Sequence, residues 1–273
     1  MPLRFLKSTV VQRAACCLVI FSGWLTAAAA PLEVKLAYIG AINASAHQGA
    51  LQGLEEAQQQ GDFLGQHYTL VELTAATTDP IDASAVIAAL PAVELVAVAA
   101  AHPNLPVFNV TRPDDALRTQ CKANLLHVIP NAKTLVDAVA QWQVAHPEAK
   151  TVRAQAWHAD FEKYSASQLN NRYREKFKQP MDDAAWAGWA AVKLLSDLVA
   201  REQSADPAVL LKALREHLAF DGQKGVTMSF RDNGQLRQPV LLVDHGKVVG
   251  EAPVRGVVEV EDLDSLGQMP CAK

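Results

Sequence analysis

Hydrophobic positions recur with two different spacings in the first half of the chain. Residues 32–40 alternate apolar and polar side chains and then become fully apolar, which is typical of a β-strand entering a buried sheet. Leu51, Leu54 and Ala57 then follow with helical spacing, and we expect Asn43 or Ser45 to cap that helix. Strand and helix patterns continue to alternate, which predicts a parallel α/β sheet. Further strands are expected at 68–73, 83–90 (which also allows a short helix) and 105–109, and a helix at 92–101.

The second half of the chain has mainly helical spacing and then becomes strand-like. Amphipathic helices are predicted at 134–145, at 159–177, from Asp182 or Asp183 to about residue 200, and from Asp206-Pro207 onward. Between 226 and 260 the pattern alternates, with turn residues at 232–234 and 244–246. This segment predicts a small antiparallel meander with strands at 226–230, 236–243 and 247–249.

The N-terminal residues have the pattern of a secretory signal peptide. Arg4, Lys7 and Arg13 precede an apolar run at 14–25, and small residues follow at 26–30. The apolar run is shorter than the roughly 20 residues that a bilayer-spanning helix needs. We therefore expect cleavage after Ala29 and export of residues 30–273 to the periplasm.

Charge and composition narrow the range of partners. The chain has 25 Lys+Arg and 29 Asp+Glu, and removing the three basic residues of the predicted leader leaves 22 against 29. An acidic balance disfavours nucleic acid as a partner. Hydrophobic residues make up 50% of the chain, which is enough for one large domain or two small lobes.

Two cysteines remain after the predicted leader, Cys121 and Cys271. An even number of cysteines in an oxidising compartment predicts a disulfide. The alternative is a pair of buried free thiols. A bridge would tie the C-terminal end of the chain back to its middle.

Several short sequence motifs in this chain resemble those of one family of transport proteins. The chain is similar to the ABC-transporter substrate-binding proteins associated with pyrroloquinoline-quinone (PQQ)-dependent alcohol dehydrogenase systems, which are related to type I periplasmic binding proteins. The resemblance extends over nearly all of residues 30–273. It rests on Thr-Gln-Cys-Lys-Ala-Asn-Leu-Leu-His-Val-Ile-Pro at 119–130, Ala-Trp-His-Ala-Asp-Phe-Glu-Lys-Tyr at 156–164, Ser-Phe-Arg at 229–231, Gly-Gln-Leu-Arg-Gln-Pro at 234–239 and Leu-Asp-Ser-Leu-Gly at 263–267.

The resemblance implies two lobes with a ligand cleft between them. We expect a parallel, doubly wound N-terminal lobe at 30–133 and a second lobe at 134–273. The second lobe is reduced, because residues 146–155 replace the several strand–helix units that such proteins carry there. The segment between residues 73 and 83 is also too short for a full crossover helix. Reduction of the second lobe puts closure of the cleft in question.

The resemblance places the ligand outside the carboxyl ends of the strands, where loops and helix N-termini offer donors. In this chain the corresponding loops are 40–45 and 109–115. Arg112 is the candidate to hold a carboxylate, and Asp114 or Asp115 to hold an amine or a metal. The candidate ligand-binding residues are Asn43, Ser45, Asn109, Thr111, Arg112, Asp114 and Asp115.

Structural explanations compete with some of these roles. Asp114-Asp115 also fits a helix-capping pair, and His127 lies in an apolar run typical of a structural histidine. Trp186 and Trp189 are three residues apart, as core residues of a helix would be. His158, Asp160 and Glu162 are a metal candidate only by residue type, since a spacing of two does not bring side chains together on a helix.

Two functions follow from the sequence. Nucleophile, zinc-protease and phosphate-loop motifs are missing, so we predict a protein that is not an enzyme. We assign it no cofactor and no resident metal site. The first candidate is a periplasmic receptor that captures a small solute for an inner-membrane ABC permease serving PQQ-dependent alcohol oxidation. The second is an accessory or scaffold protein of that system, with the dehydrogenase as its partner, which has lost a closing cleft.

Overall fold

Five parallel strands form the first sheet, in the order β2-β1-β3-β4-β5. The structure is a computed structural model that describes Met1 and residues 30–272. Apart from Met1, the predicted signal peptide lies outside the described residues. The predicted parallel α/β architecture is confirmed. The strands are β1 (Leu32–Gly40), β2 (Gln66–Leu73), β3 (Ala85–Ala89), β4 (Val107–Asn109) and β5 (Leu125–His127).

Three shorter strands form a separate antiparallel sheet in the order β6-β7-β8. They are β6 (Arg153–Gln155), β7 (Val240–Asp244) and β8 (Lys247–Ala252). His245 and Gly246 join β7 to β8 with positive φ values of 46° and 75°, as a two-residue hairpin turn requires. The predicted small antiparallel sheet is therefore present.

Seven α-helices lie within residues 30–272. None of them combines the length and the apolar character that crossing a membrane requires. They are α1 (Ser45–Leu64), α2 (Ala92–Ala101), α3 (Asp115–Thr119), α4 (Ala132–Ala145), α5 (Ala166–Phe177), α6 (Asp183–Glu202) and α7 (Pro207–Glu216).

Two helices begin at the capping residues that the sequence predicts, and one does not. The side chains of Asp182 and Asp206 cap α6 and α7, as their positions before apolar runs predict. The expected cap of α1 by Asn43 or Ser45 is wrong, because Ala44 occupies the capping position and no side chain bonds there. The φ of 65° at Asn43 turns the chain just before the helix.

Two predicted elements are shorter than expected. The helix predicted from residue 159 begins at Ala166, because Tyr164 and Ser165 have φ values of 53° and 68° and interrupt it. The strand predicted at 226–230 forms only isolated bridges at Met228 and Phe230. Phe230 bridges Leu236 in antiparallel fashion around the turn predicted at 232–234, and Gln235 pairs with His127 of the first sheet. This short hairpin therefore lies against β5, and β6 takes the place of the strand predicted at 226–230 in the antiparallel sheet.

The first sheet is covered on both faces. Alternate residues of β1 divide between two cores: Val34, Leu36 and Tyr38 face one, and Ala37 and Ile39 face the other. The first core also contains apolar residues of α1, α5, α6 and α7, and the second contains those of α2 and α3. Helices α5, α6 and α7, which the sequence grouped with the second lobe, therefore share the core on this face of the first sheet.

Helices α1 and α6 run side by side in close contact. A Cβ atom on Gly49 would overlap the carbonyl oxygen of Ala185, and one on Gly188 would overlap the carbonyl oxygen of Ala46. Further along, a Cβ on Gly53 would lie 2.9 Å from the carbonyl oxygen of Trp189. The absence of side chains at these glycines lets the two backbones touch near the N-termini of both helices.

Strand β7 contributes to two cores at once. Leu241 and Val243 join the large core on the first sheet, whereas Val240 and Leu242 pack with Ala138 of α4 in a smaller third core. The two faces of one strand thus hold the antiparallel sheet against the rest of the molecule. Period-two alternation of buried side chains makes this possible.

The C-terminal segment crosses several elements and is closed by a disulfide. Cys121 and Cys271 are bonded, with Cα atoms 5.6 Å apart, which confirms the predicted bridge. Arg231 donates to the carbonyl oxygens of Leu263 and Leu266 at 2.6 and 2.8 Å. The side chain of Asp137 on α4 accepts from Gly267 at 2.8 Å. Side-chain hydrogen bonds therefore fix the segment independently of the disulfide.

We predict that Gly49→Ala destabilises the protein by about 2 kcal/mol or more. Overpacking costs roughly 1–3 kcal/mol, and here the opposing atom is backbone that can move only if the helices separate. Urea denaturation followed by circular dichroism measures the effect. Gln59→Ala, at an exposed position of the same helix, is the matched control and should change stability little. An equal midpoint for Gly49→Ala and Gln59→Ala would contradict the close helix contact.

Removing the disulfide by Cys121→Ser/Cys271→Ser should lower the free energy of unfolding by about 2–5 kcal/mol. The bridge closes a loop with a sequence separation of 150 residues, and its loss releases that constraint in the unfolded chain. Urea denaturation of the oxidised protein and the double variant measures the difference. Coincident unfolding curves would show that the bridge contributes nothing to stability.

Candidate functional site

The carboxyl ends of three neighbouring strands surround a cavity of about 380 Å³. β1 ends at Gly40, β3 at Ala89 and β4 at Asn109, and these strands are adjacent in the sheet. Gly40 has a φ of 153°, and a Cβ there would lie 2.9 Å from the Ala89 carbonyl oxygen, so only glycine lets the two strand ends meet. The cavity is lined by Tyr38, Ala41, Ala44, Ser45, Ala46, Ala89, Leu90, Pro91, Thr111, Arg112 and Ala184.

Three helices begin at this cavity. Ser45 is the first residue of α1, Pro91 is the N-cap of α2, and Ala184 belongs to the first turn of α6. The contact between α1 and α6 brings two of these N-termini together. Helix N-termini carry partial positive charge and unpaired N–H groups, so the cavity is suited to a negatively charged group.

Three predicted ligand-binding residues line the cavity. They are Ser45, Thr111 and Arg112, and each follows the end of a parallel strand. The Arg112 guanidinium donates to Asp114, from Nε at 3.1 Å and from Nη2 at 3.5 Å. Asp114 therefore orients the arginine without itself lining the cavity.

Asn109 and Asp115 have structural contacts in this fold. The fully buried Asn109 amide donates to the Arg112 carbonyl oxygen at 2.8 Å, and its oxygen accepts from the Arg112 N–H at 2.9 Å. Asp115 accepts from Asn131 at 2.7 Å and from the Lys133 N–H at 3.2 Å, which connects α3 to the start of α4. Neither these two residues nor Asn43 is among those lining the cavity. Their binding roles stay predictions.

Arg118 is a buried residue that the sequence did not single out. Its guanidinium donates to the carbonyl oxygens of Arg112 and Asp114, at 2.6 and 3.1 Å, and thereby holds the loop that carries Thr111 and Arg112. It also donates to the Gln235 side chain at 2.8 Å. Burial lowers the pKa of Arg118 to about 9, and the negative charges of Asp115 and Asp114 oppose that shift. In the five-residue helix Asp-Ala-Leu-Arg-Thr, nothing in the sequence signals that the arginine is buried.

His127 lies in the interior beside this loop. Its Nδ1 lies 2.9 Å from the Asn109 amide nitrogen. Burial, with a smaller contribution from the Arg118 charge, holds the pKa of His127 well below its usual value. The ring is therefore neutral at pH 7 and bonded within the fold, as expected for a structural histidine.

A second cavity of about 490 Å³ adjoins the first at Ala184. Its lining comes from residues 155–159 and 180–184, and includes Trp157, Asp182 and Asp183. Asp183 accepts the Trp157 N–H at 2.7 Å, and burial raises the pKa of its carboxyl group. Gln155 of β6 lines the second cavity, whereas among the described residues none from β6, β7 or β8 lines the first and none from α4 lines either. The first cavity therefore has walls from the first sheet and α6, without an opposing wall from the second sheet.

Lys224 is buried behind the start of α6. Its ammonium lies 3.8 Å from the Trp186 ring centre and donates to the Gln238 side chain at 2.7 Å and to the Pro239 carbonyl oxygen at 3.0 Å. Burial lowers its pKa to about 7, although Asp183 and Glu251 act in the opposite direction. Trp186 and Trp189 are both in the large core, as their spacing predicted.

The motifs that carried the family resemblance have structural contacts. Asn124 donates to the carbonyl oxygens of Ala99 and His102, each at 2.9 Å. Trp157 donates to Asn170 at 2.8 Å, and Gln238 accepts from Lys224. These residues hold loops and helices in place, and none of them lines the first cavity.

Comparison with known proteins identifies the fold. No protein-family model matches the chain, and no curated protein matches it. A branched-chain amino acid ABC transporter periplasmic ligand-binding protein from Burkholderia xenovorans has a TM-score of 0.68 and 12% identity, covering 80% of this chain and 95% of that one. The fold is that of type I periplasmic binding proteins.

Two ligand complexes are among the similar structures. An ABC transporter substrate-binding protein from Desulfitobacterium hafniense in complex with Leu has a TM-score of 0.66 and 11% identity, covering 79% of this chain and 99% of that one. A solute-binding protein from R. palustris in complex with benzoate has a TM-score of 0.62 and 11% identity, with 80% and 95% covered. At these identities the likeness establishes the fold.

We predict that the stability of the protein rises with pH above about 7 because of Lys224. The folded pKa of about 7 lies below the ordinary value of 10.5, so between these values the unfolded chain binds more protons than the folded one. Below pH 7 both states are protonated and the full cost of the buried charge is present.

Urea denaturation of the wild type and Lys224→Met at pH 6.5 and pH 9.5 tests this expectation. The rise in stability between the two pH values should be smaller in Lys224→Met. Lys212→Met, at an exposed position on α7, should retain the wild-type rise. The same rise in all three proteins would show that Lys224 does not lose its proton in this range.

Proposed function

We propose that the chain is the periplasmic solute-binding component of an ABC transporter. The observation that carries the proposal is the cavity at the carboxyl ends of β1, β3 and β4, where open α/β sheets bind their ligands. The fold supports it, since similar structures are transporter binding proteins, one in complex with Leu and one with benzoate. The proposed partners are a small solute and an inner-membrane ABC permease.

We further propose that this transport serves PQQ-dependent alcohol oxidation, with a PQQ-dependent dehydrogenase as a second partner. This proposal is supported by the short sequence motifs at 119–130, 156–164 and 234–239 that resemble those of the PQQ-associated family. The periplasmic location is supported by the pattern of residues 1–29 and by the oxidised Cys121–Cys271 pair. Solute binding needs no catalytic step, and we propose that the chain is not an enzyme.

One observation favours the accessory or scaffold role as a second candidate. The first cavity has no wall from the antiparallel sheet among the described residues, and β7 packs into two cores. A strand shared in this way opposes the independent movement of two lobes that closing around a ligand requires. An accessory protein could retain this fold without a closing cleft.

A thermal-shift screen of the purified protein tests the first candidate. A solute at 100 times its dissociation constant should add about 2.7 kcal/mol of stability and raise the melting temperature. The screen includes aliphatic and aromatic acids, amino acids, alcohols, PQQ and metal ions. At least one small solute is expected to raise the midpoint in a saturable way.

Paired tryptophan variants locate the binding site. Ala41→Trp places an indole at an exposed position of the cavity wall and should abolish the shift. Ala145→Trp, at the exposed end of α4, should leave it unchanged. If no solute raises the midpoint while the purified dehydrogenase binds saturably in calorimetry, the receptor proposal fails and the accessory role is supported.

A further inference from the structure

Among the described residues, Arg112 is the one charged residue that lines the first cavity. Asp114 contacts the guanidinium through Nε and Nη2 and is not a lining residue, so the remaining edge of the arginine is available to a ligand. A guanidinium oriented in this way is suited to hold a carboxylate.

Hydroxyl and backbone donors add to this preference. Tyr38, Ser45 and Thr111 are the hydroxyl-bearing residues that line the cavity, and the Tyr38 hydroxyl donates to the Ala41 carbonyl oxygen at 3.3 Å. Helices α1 and α2 start at Ala44 and Pro91 without a side-chain cap. The first turn of α1 has no acidic residue, whereas that of α2 contains the exposed Glu94, which does not line the cavity. The first-turn N–H groups of α1 and α2 are therefore not paired with a capping side chain, in contrast to α4, α6 and α7, where a side chain caps the helix.

The acidic residues at the start of α6 accept hydrogen bonds from backbone N–H groups outside the first cavity. Asp182 accepts the Ala185 N–H at 2.8 Å as the helix cap, and Asp183 accepts the Trp157 N–H. Both line the second cavity and neither lines the first. An ammonium group in the first cavity would thus find no carboxylate among its lining residues, and it would lie beside helix N-termini and Arg112, which repel it.

The rest of the wall is apolar. Ala41, Ala46, Ala89, Leu90 and Pro91 present carbon atoms to the cavity. A volume of about 380 Å³ is at the lower end of the range for small-molecule sites. The ligand that matches this lining is small, with one anionic end and one apolar end.

We propose that the first cavity binds a small organic acid that has a carboxylate and an apolar group but no ammonium group. This inference rests on the proposed solute-binding function and specifies its ligand. Arg112 and the hydroxyls of Ser45 and Thr111 receive the carboxylate, and the alanine, leucine and proline wall receives the hydrocarbon. An amino acid of the same skeleton is rejected because its ammonium has no acceptor carboxylate and loses its hydration.

The test compares 4-methylpentanoate with leucine, which differs from it only by the α-ammonium group. Isothermal titration of the purified protein should show binding of the acid at least 10-fold tighter than that of leucine. 4-Methylpentanamide, which lacks the negative charge, should also bind at least 10-fold more weakly than the acid. 3-Phenylpropanoate and phenylalanine, which again differ only by the α-ammonium group, serve as a second, aromatic comparison.

Variants assign the carboxylate contact. Arg112→Gln should weaken binding of the acid by 10-fold or more, and Arg112→Lys should weaken it less. Arg153→Gln, at an exposed position on β6, is the matched control and should bind like the wild type. Circular dichroism melting of each variant verifies that it is folded.

The possible outcomes distinguish failure of the proposed ligand class from failure of the solute-binding function. Tighter binding of leucine than of 4-methylpentanoate would overturn the inference and leave the solute-binding function standing. Unchanged affinity of the acid in folded Arg112→Gln would overturn the assigned contact. Absence of binding by every acid and amino acid tested would overturn the inference, and the thermal-shift screen with alcohols, PQQ and metal ions then decides whether the proposed function fails as well.

Discussion

The contact between α1 and α6 is the constraint on which the candidate site depends. Gly49 and Gly188 allow the two backbones to touch within the first turns of the helices, which sets both N-termini at the carboxyl edge of the parallel sheet. The cavity is the space that remains between the carboxyl ends of the strands and the N-termini of these helices. A side chain at either glycine would separate the helices and widen that edge. Backbone packing therefore determines where the cavity lies, and the side chains that line it determine its chemistry.

Strand β7 imposes the second constraint. Because its alternate residues face two cores, the antiparallel sheet is joined to the first sheet's core through Leu241 and Val243. The Arg231 contacts and the disulfide fix the C-terminal segment across the same region. A ligand in the first cavity would be held by loops of the first sheet and α6, with one side open. This arrangement favours recognition by a preformed surface over enclosure between two moving lobes.

The sequence predicted the parallel sheet, the disulfide and the loops around the cavity, since these follow from local patterns of apolar residues, cysteine number and strand ends. It did not predict Arg118, because the partners of a buried arginine are set by the folded loops: the carbonyl groups of Arg112, Asp114 and Ile129, and the side chain of Gln235 far along the chain. It also assigned α5–α7 to the second lobe, since periodicity shows that a helix has an apolar face but not which sheet that face covers. Asn109 illustrates the same limit: a polar residue after a strand can face a ligand or fold its own loop, and here its amide folds the loop.

The central claim is that the edge formed by β1, β3, β4 and the start of α6 is a binding surface. A ¹⁵N–¹H NMR titration of the purified protein with 4-methylpentanoate tests it most directly, because each backbone amide reports its own environment. We predict saturable shifts at the amides of Ser45, Ala46, Thr111 and Arg112, which lie around the cavity, with little change in β8 or α7. Shifts confined to residues away from this edge, or no shifts at millimolar acid, would contradict it.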